Sequence, residues 1–466
     1  MGDGGSFRAE ARDGGRVHQA GRDLHITYAG PGPGAEEPED ARDTGAPPEP
    51  GELLARFAEA PLPVHVLAPQ ALAAVPLPDP GPGPEAVAEA VAALAVEAVP
   101  AAAPMAPRGT AHAPVRCLRP PVARPGGPAR PALDAWAAAL LDRALLRSAD
   151  DAELPLCAPH VRTLLWRSGA TGSAPVVAAA RRLRDGYERC GAYEAALPFA
   201  ERIAACPAGA GLTDALALGR LRVRCGDHAE AEAVLRPVLA RADAAVTARG
   251  LTLAGNTGPS LGELLRENAE GPFTGKLSTV DGDALVQAAD VLTVLAEALH
   301  GRRRYAESER LLHSATGLYW RVLGAAHPAR ILTQLHRARS RARQRLWTEA
   351  LSLLHDALTF RDAEALARDH PRAAALIRLT HAELADEAIR GLAEDGPGRT
   401  RAVGMFPAPV VRFLDATVSR PPKPTPADAD RLATEATAAC EQAYGPWHPR
   451  TRAARELLAR REGPDG

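Results

Sequence analysis

A chain of 466 residues that is 46% hydrophobic has material for a core, but only 4% of it is aromatic and alanine supplies much of the rest, a composition that favours closely packed helices. A formal net charge of -2 excludes a global electrostatic pull toward nucleic acid or an anionic membrane surface. The six cysteines (Cys117, Cys157, Cys190, Cys206, Cys225 and Cys440) are scattered without a Cys-x-x-Cys pair, so they read as free thiols of a reducing compartment.

In chain order, residues 1–29 open with a Gly-rich charged stretch and then alternate with period two. Val17 and Gln19 bracket one short run, and Leu24, Ile26 and Tyr28 make a second, with Gly21-Arg22-Asp23 as the turn between two very short predicted strands. Residues 30–130 read as an Ala/Pro-rich, mostly disordered linker. Within it, Pro84 to Val99 predicts a helix with Val87, Val91 and Leu94 on one side, and Val64 to Leu67 predicts a short β run. The stretch Ala86 to Ala103 is broken by Glu89, Glu97 and Pro100, which makes it a poor membrane span. The first residues lack an apolar signal region, so the chain is expected to be cytoplasmic.

From Pro131 the pattern becomes helical. Leu133, Trp136, Leu140 and Leu141 recur at helical spacing, a second helix is predicted from Pro159 to Arg167, and residues 131–174 are expected to cap the helical array that begins at residue 175. Residues 175–461 repeat a helical-hairpin pattern. The positions Tyr187, Arg222, Leu299 and Arg341 each precede, at one constant spacing, a small residue: Ala196, Ala231, Ser308 and Ala350. That shared register predicts two antiparallel helices approaching closely at the small residue. Such hairpins bury their apolar faces only by stacking, which gives an all-α solenoid. Gly-rich interruptions fall at 251–283 and 393–427, and further helices are predicted at 371–392, 428–443 and 449–461.

These motifs resemble tetratricopeptide repeats over residues 175–461. The step from 299 to 341 is longer than that from 187 to 222, and it comes with Leu323-Gly324-Ala325-Ala326-His327-Pro328, matched by Tyr444-Gly445-Pro446-Trp447-His448-Pro449-Arg450-Thr451 and echoed by Asp369-His370-Pro371-Arg372. This looks like the longer variant found in kinesin light chains and many actinobacterial signalling proteins. The expected logic is punctuation, with Gly324 and Gly445 ending a helix in the left-handed conformation and the following Pro starting the next. The copies depart from the pattern where Arg303 and Arg345 replace the turn Gly. The amino-terminal Val17, Gln19, Ala20 and Gly21, followed by Ile26, resemble bacterial amyloid signalling motifs related to the RIP homotypic interaction motif, which implies self-assembly through residues 16–28 by stacked strands and Gln ladders. Arg22 and Asp23 depart from that motif. The alternative is a tail or a strand docked on the chain itself.

Catalytic signatures are sparse. Gly271 to Lys276 has three residues between its glycines and Leu277 after the lysine, so it is a Gly-rich loop rather than a phosphate loop. His327, His370 and His448 each precede Pro and read as helix-boundary punctuation rather than metal ligands; Tyr187, Tyr193 and Trp347 read as packing residues. No enzyme activity, cofactor or metal is expected, and neither nucleic acid nor membrane is an expected partner. One surface signal is left. In tetratricopeptide hairpins the first helix lines the concave face, which places Arg220, Arg224, Arg339 and Arg343 there as a candidate site for a protein or acidic peptide. The competing reading is a solvated face neutralised by acids such as Glu297 and Glu349. The functional expectation is a non-enzymatic interaction scaffold, the sensor or adaptor arm of a bacterial signalling or defence system; the alternative is a regulatory subunit that binds a separate enzyme or transcription factor without self-assembly.

Overall fold

A computed structural model of the chain describes strand residues 16–20 and 23–27 and residues 49–77, 84–100, 103–106, 113–121, 130–147, 151–168, 172–206, 211–247, 279–359, 363–395 and 424–463. The chain forms two units, residues 1–47 and residues 48–466.

In the first unit, β1 (Arg16–Ala20) and β2 (Asp23–Thr27) pair antiparallel. The register sets Val17 against Ile26, His18 against His25 and Gln19 against Leu24. The two predicted strands are present. Gly21 and Tyr28 lie outside the described residues.

The second unit begins where the sequence predicts a linker, and here the expectation is corrected for the described residues. Helices α1 (Pro50–Leu54), α2 (Pro69–Ala74) and α3 (Pro84–Ala92) accompany a small sheet of β3 (Leu62–Pro63), β4 (Val96–Val99) and β5 (Val115–Leu118). β5 is central and antiparallel to both neighbours, pairing Leu62 with Leu118 and Glu97 with Cys117. The predicted β run at 64–67 is instead a 3-10 turn, and the predicted helix at 84–99 stops at Ala92 so that its tail can pair as β4. Leu53, Leu54, Phe57, Leu62, Val66 and Leu67 are buried in one cluster with Leu133, Trp136, Leu140 and Leu164. Few large apolar residues therefore suffice, because they do not close a core of their own but complete that of α4 (Pro131–Arg147) and α5 (Leu154–Arg167). Pro159 lies inside α5 rather than at its start.

His160 of α5 pins this element. Its Nδ1 accepts the Ala58 amide at 3.1 Å and its Nε2 lies 3.1 Å from the Pro61 carbonyl. Arg167 donates to the Arg56 carbonyl at 2.8 Å.

The hairpins follow in pairs: α6 (Ala174–Cys190) with α7 (Tyr193–Ala205), and α8 (Leu212–Cys225) with α9 (His228–Thr247). Next come α10 (Thr279–Gly301) with α11 (Tyr305–Leu323), and α12 (Pro328–Arg343) with α13 (Trp347–Thr359). After α14 (Ala363–Asp369), a short helix that the sequence pattern does not announce, come α15 (Pro371–Asp395), α16 (Pro426–Tyr444) and α17 (Pro449–Arg461). From α4 to α13 and again from α14 to α17 each helix packs on its sequence neighbours, which is an all-α solenoid of helical hairpins of the tetratricopeptide type. Within α10, Gly282–Gly301 is long and apolar enough to cross a membrane; just over half of that stretch is buried within the fold.

The repeat register has a physical basis. The amides of Ala192, Asp227, Arg304 and Leu346 donate to the carbonyls of Tyr187, Arg222, Leu299 and Arg341, the four positions of the sequence register, at 2.8–3.0 Å. This is the six-to-one bond of a Schellman ending. The small residues Ala196, Ala231, Ser308 and Ala350 are all buried, and the Ser308 hydroxyl donates to the Ala296 carbonyl at 2.7 Å. Gly191 and Gly226 take the left-handed turn at φ 84° and 89°, and Arg303 and Arg345 take the same turn at φ 61° and 62°. Gly324 and Gly445 also have positive φ, but with ψ near 170°, so they are not the left-handed caps the sequence suggests. His327 and His448 are N-caps, their Nδ1 atoms accepting the Ala329 and Arg450 amides.

Candidate functional site

The solenoid brings its last hairpin against its first. The Tyr193 ring of α7 meets the His448 ring edge-on at 6.3 Å, and a Cβ at Gly191 would lie 2.4 Å from Cδ of Pro449. Two cavities open at this junction and share Tyr193, Arg224 and Arg450.

The first, of about 440 Å³, lies between α6, α8 and the elements that carry Arg372, Tyr444, His448 and Arg450. Six arginines line it: Arg184, Arg189, Arg220, Arg224, Arg372 and Arg450. The second, of about 420 Å³, runs along the inner helices α8, α10, α12 and α15, with Arg224, Arg339, His300, His336 and Glu297 among apolar side chains such as Leu312, Leu376 and Leu379.

The four arginines singled out from the sequence are each held by an acid. Arg220 lies 3.5 Å from Glu188, Arg224 3.5 Å from Glu297, and Arg343 2.7 Å from Glu387, while Arg339 pairs with Glu383. Arg220, Arg224 and Arg339 line the cavities; Arg343, half exposed at the end of α12, lines neither. Glu349, expected to neutralise this face, lies 3.3 Å from Arg341. Val17, Gln19, Ala20 and Ile26 sit in the amino-terminal hairpin, in the other unit.

Electrostatics in the second cavity follow from burial. Burial pushes the Glu297 carboxyl up, but Arg224, Arg450 and Arg220 outweigh it and hold the group below the ordinary carboxylate range. Burial, aided by neighbouring arginines, depresses His336 and His300 to about 4, so both are neutral at pH 7. With His336 neutral, its 3.3 Å contact with Glu297 is not an ion pair.

Arg372, Tyr444 and Arg450 were not singled out in the sequence. Arg372 and Arg450 lie over the Tyr444 ring, 5.7 and 5.0 Å from its centre, and Arg450 also donates to the Tyr444 hydroxyl. The Tyr444 hydroxyl donates to the Arg372 carbonyl at 2.7 Å, and the His448 ring stacks on Tyr444 at 4.5 Å. A signal for them exists, since each arginine directly follows a His-Pro pair. Tyr187, read as a packing residue, is buried and stacks on Phe199 at 6.3 Å. Among the described residues no group of three or more His, Cys, Asp or Glu side chains could hold a metal ion.

No family model matches the chain, and no curated protein matches it. Among solved structures, the crystal structure of a Rap protein complexed with competence and sporulation factor aligns over 71% of this chain and 77% of that chain, at 10% identity and a TM-score of 0.34. At that score the two chains do not superpose as wholes.

Proposed function

We propose that the chain is a non-enzymatic interaction scaffold whose inner surface receives an acidic segment of a partner protein. The observation that carries this reading is the second cavity, where Arg224 and Arg339 stand beside the apolar Leu312, Leu376 and Leu379. A guanidinium has five donors and a carboxylate partner takes two at most, so the ion pairs with Glu297 and Glu383 orient these arginines without exhausting them. An extended segment with alternating acidic and apolar residues matches that lining. The test is fluorescence polarisation with labelled peptides of that pattern against the full chain. Arg224→Gln should weaken binding by about tenfold, the loss typical of one charge-assisted contact. Equal binding by basic or scrambled neutral peptides would remove the reading.

A second reading, self-assembly through residues 16–28, is supported by the β1/β2 register, which sets Val17 opposite Ile26 and Gln19 opposite Leu24. A peptide spanning Gly14 to Tyr28 should then form thioflavin-positive fibrils that Gln19→Asp prevents. A peptide that stays monomeric at all salt and protein concentrations leaves the chain a scaffold or regulatory subunit without self-assembly.

A further inference from the structure

We propose that the first cavity is a binding site for a small phosphate-bearing ligand, whose dianion is held between Arg372 and Arg450 on one side and Arg220 and Arg224 of α8 on the other. The inference starts from the pairing of the six arginines. Arg184 is paired with Asp214 at 2.9 Å and Arg189 with Asp151 at 3.2 Å. Arg220 and Arg224 are held by Glu188 and Glu297. Arg372 and Arg450 are different: among the described residues no carboxylate pairs with either, and what each guanidinium meets is the face of Tyr444. Glu297 feels the charge of Arg450, yet it is already engaged by Arg224 and His336.

An aromatic face orients a guanidinium but does not neutralise it. Two positive charges therefore stand uncompensated in a concave wall, while the carboxylates that line the same cavity, Asp185 and Glu188, are taken up by Arg184 and Arg220. The complement is a compact ligand of about two negative charges. A phosphomonoester carries about -1.5 to -2 at pH 7 and offers three acceptor oxygens to guanidinium forks, where a carboxylate offers one charge and two oxygens. The volume of about 440 Å³ is within the usual range for small-molecule sites. Tyr193, Tyr444 and His448 line the same space, so the body of the ligand would meet aromatic rings.

This inference does not need the peptide reading, because Arg372 lines the first cavity and not the second. Isothermal titration of the full chain at fixed ionic strength, with inorganic phosphate, pyrophosphate, adenosine monophosphate and, as the carboxylate comparison, glutamate, provides the test. Phosphate-bearing probes should bind at least tenfold more tightly than glutamate, and Arg372→Gln with Arg450→Gln should weaken them at least tenfold. Arg310→Gln, an exposed change on α11, should leave them unaltered. Binding by adenosine monophosphate well above that of inorganic phosphate assigns a nucleotide-like ligand; equal binding assigns the phosphate group alone. Should the double variant fail to fold, Arg372→Gln alone carries the test, since the Tyr444 hydroxyl bonds its backbone carbonyl and not its side chain. Absence of binding by every phosphate probe at millimolar concentration overturns the proposal. So does undiminished binding by a folded Arg372→Gln variant, or glutamate binding as tightly as phosphate.

Discussion

Two arginines hold a backbone conformation that glycine holds elsewhere in the same chain. Arg303 and Arg345 sit at φ 61° and 62°, where the left-handed region costs an ordinary residue about 1 kcal/mol or more. Their amides still make the turn bonds, to the His300 and Ala342 carbonyls at 2.9 and 2.8 Å. Arg303→Gly or Arg345→Gly should therefore stabilise the fold by roughly 0.5–1 kcal/mol, the strain relieved less the entropy a glycine adds to the unfolded chain. A chemical-denaturation midpoint that falls in either variant would show that the arginine side chain contributes more than its backbone costs. The sequence already marked these two positions as departures from the repeat; what it could not show is that the turn survives them unchanged.

His160 gives a second prediction at this scale. Burial depresses its pKa to about 4, against an ordinary value of 6.5. Its Nδ1 accepts an amide proton, so protonation would set two donors against each other. The neutral form is favoured by the fold, so this contribution is complete above about pH 6.5 and is lost as pH falls through about 4. At about 1.4 kcal/mol per unit, the loss is on the order of 3 kcal/mol. The pH dependence of unfolding free energy between 6.5 and 4 should flatten by about one proton in His160→Gln. An unaltered slope would place the acid sensitivity elsewhere, with His300, His336 and His448, all depressed to about 4, as the next candidates.

At the scale of elements, the hairpins were legible because their signal is local. A cap bond five residues long and a small residue at the crossing recur at fixed spacing, and both survive in one sequence without comparison to others. The element at residues 49–121 was not legible for the opposite reason. Its strands are two to four residues long, and its sheet is closed by pairings of Leu62 and Val96 with Leu118 that no periodicity announces. Its apolar residues look too few because their partners, Trp136 and Leu164 among them, lie in the next helices. Phe57 tests this. It is 1% exposed and meets the His160 ring at 5.9 Å. Phe57→Ala should cost about 3–5 kcal/mol, the usual penalty for emptying an aromatic core site. A melt within a degree of the parent protein would return this stretch to the role of a linker.

At the scale of the second unit, helix position alone offered two readings of the inner arginines, an open groove or a face neutralised by acids, and of the acids named for the second, Glu297 does pair with Arg224. The meeting of the last hairpin with the first was not legible, because it depends on curvature, which accumulates over many hairpins and leaves no mark at any one of them. The contact can be isolated by a matched pair of glycines. Gly191 and Gly226 occupy equivalent turns at φ 84° and 89°, so alanine at either meets similar backbone strain. A Cβ at Gly226 meets nothing within 4 Å, whereas one at Gly191 would overlap Pro449 at 2.4 Å and His448 at 2.9 Å. Gly226→Ala should therefore cost about 1 kcal/mol, the conformational penalty alone. Gly191→Ala should cost more, and it should also separate the two ends. Hydrogen exchange at the start of α17 should speed up in Gly191→Ala and not in Gly226→Ala, since amides are protected in proportion to the local cost of opening. Any phosphate affinity that depends on Arg450 together with Arg224 should fall with it. Equal effects of the two alanines on stability and on exchange would mean that the first and last hairpins touch without supporting each other.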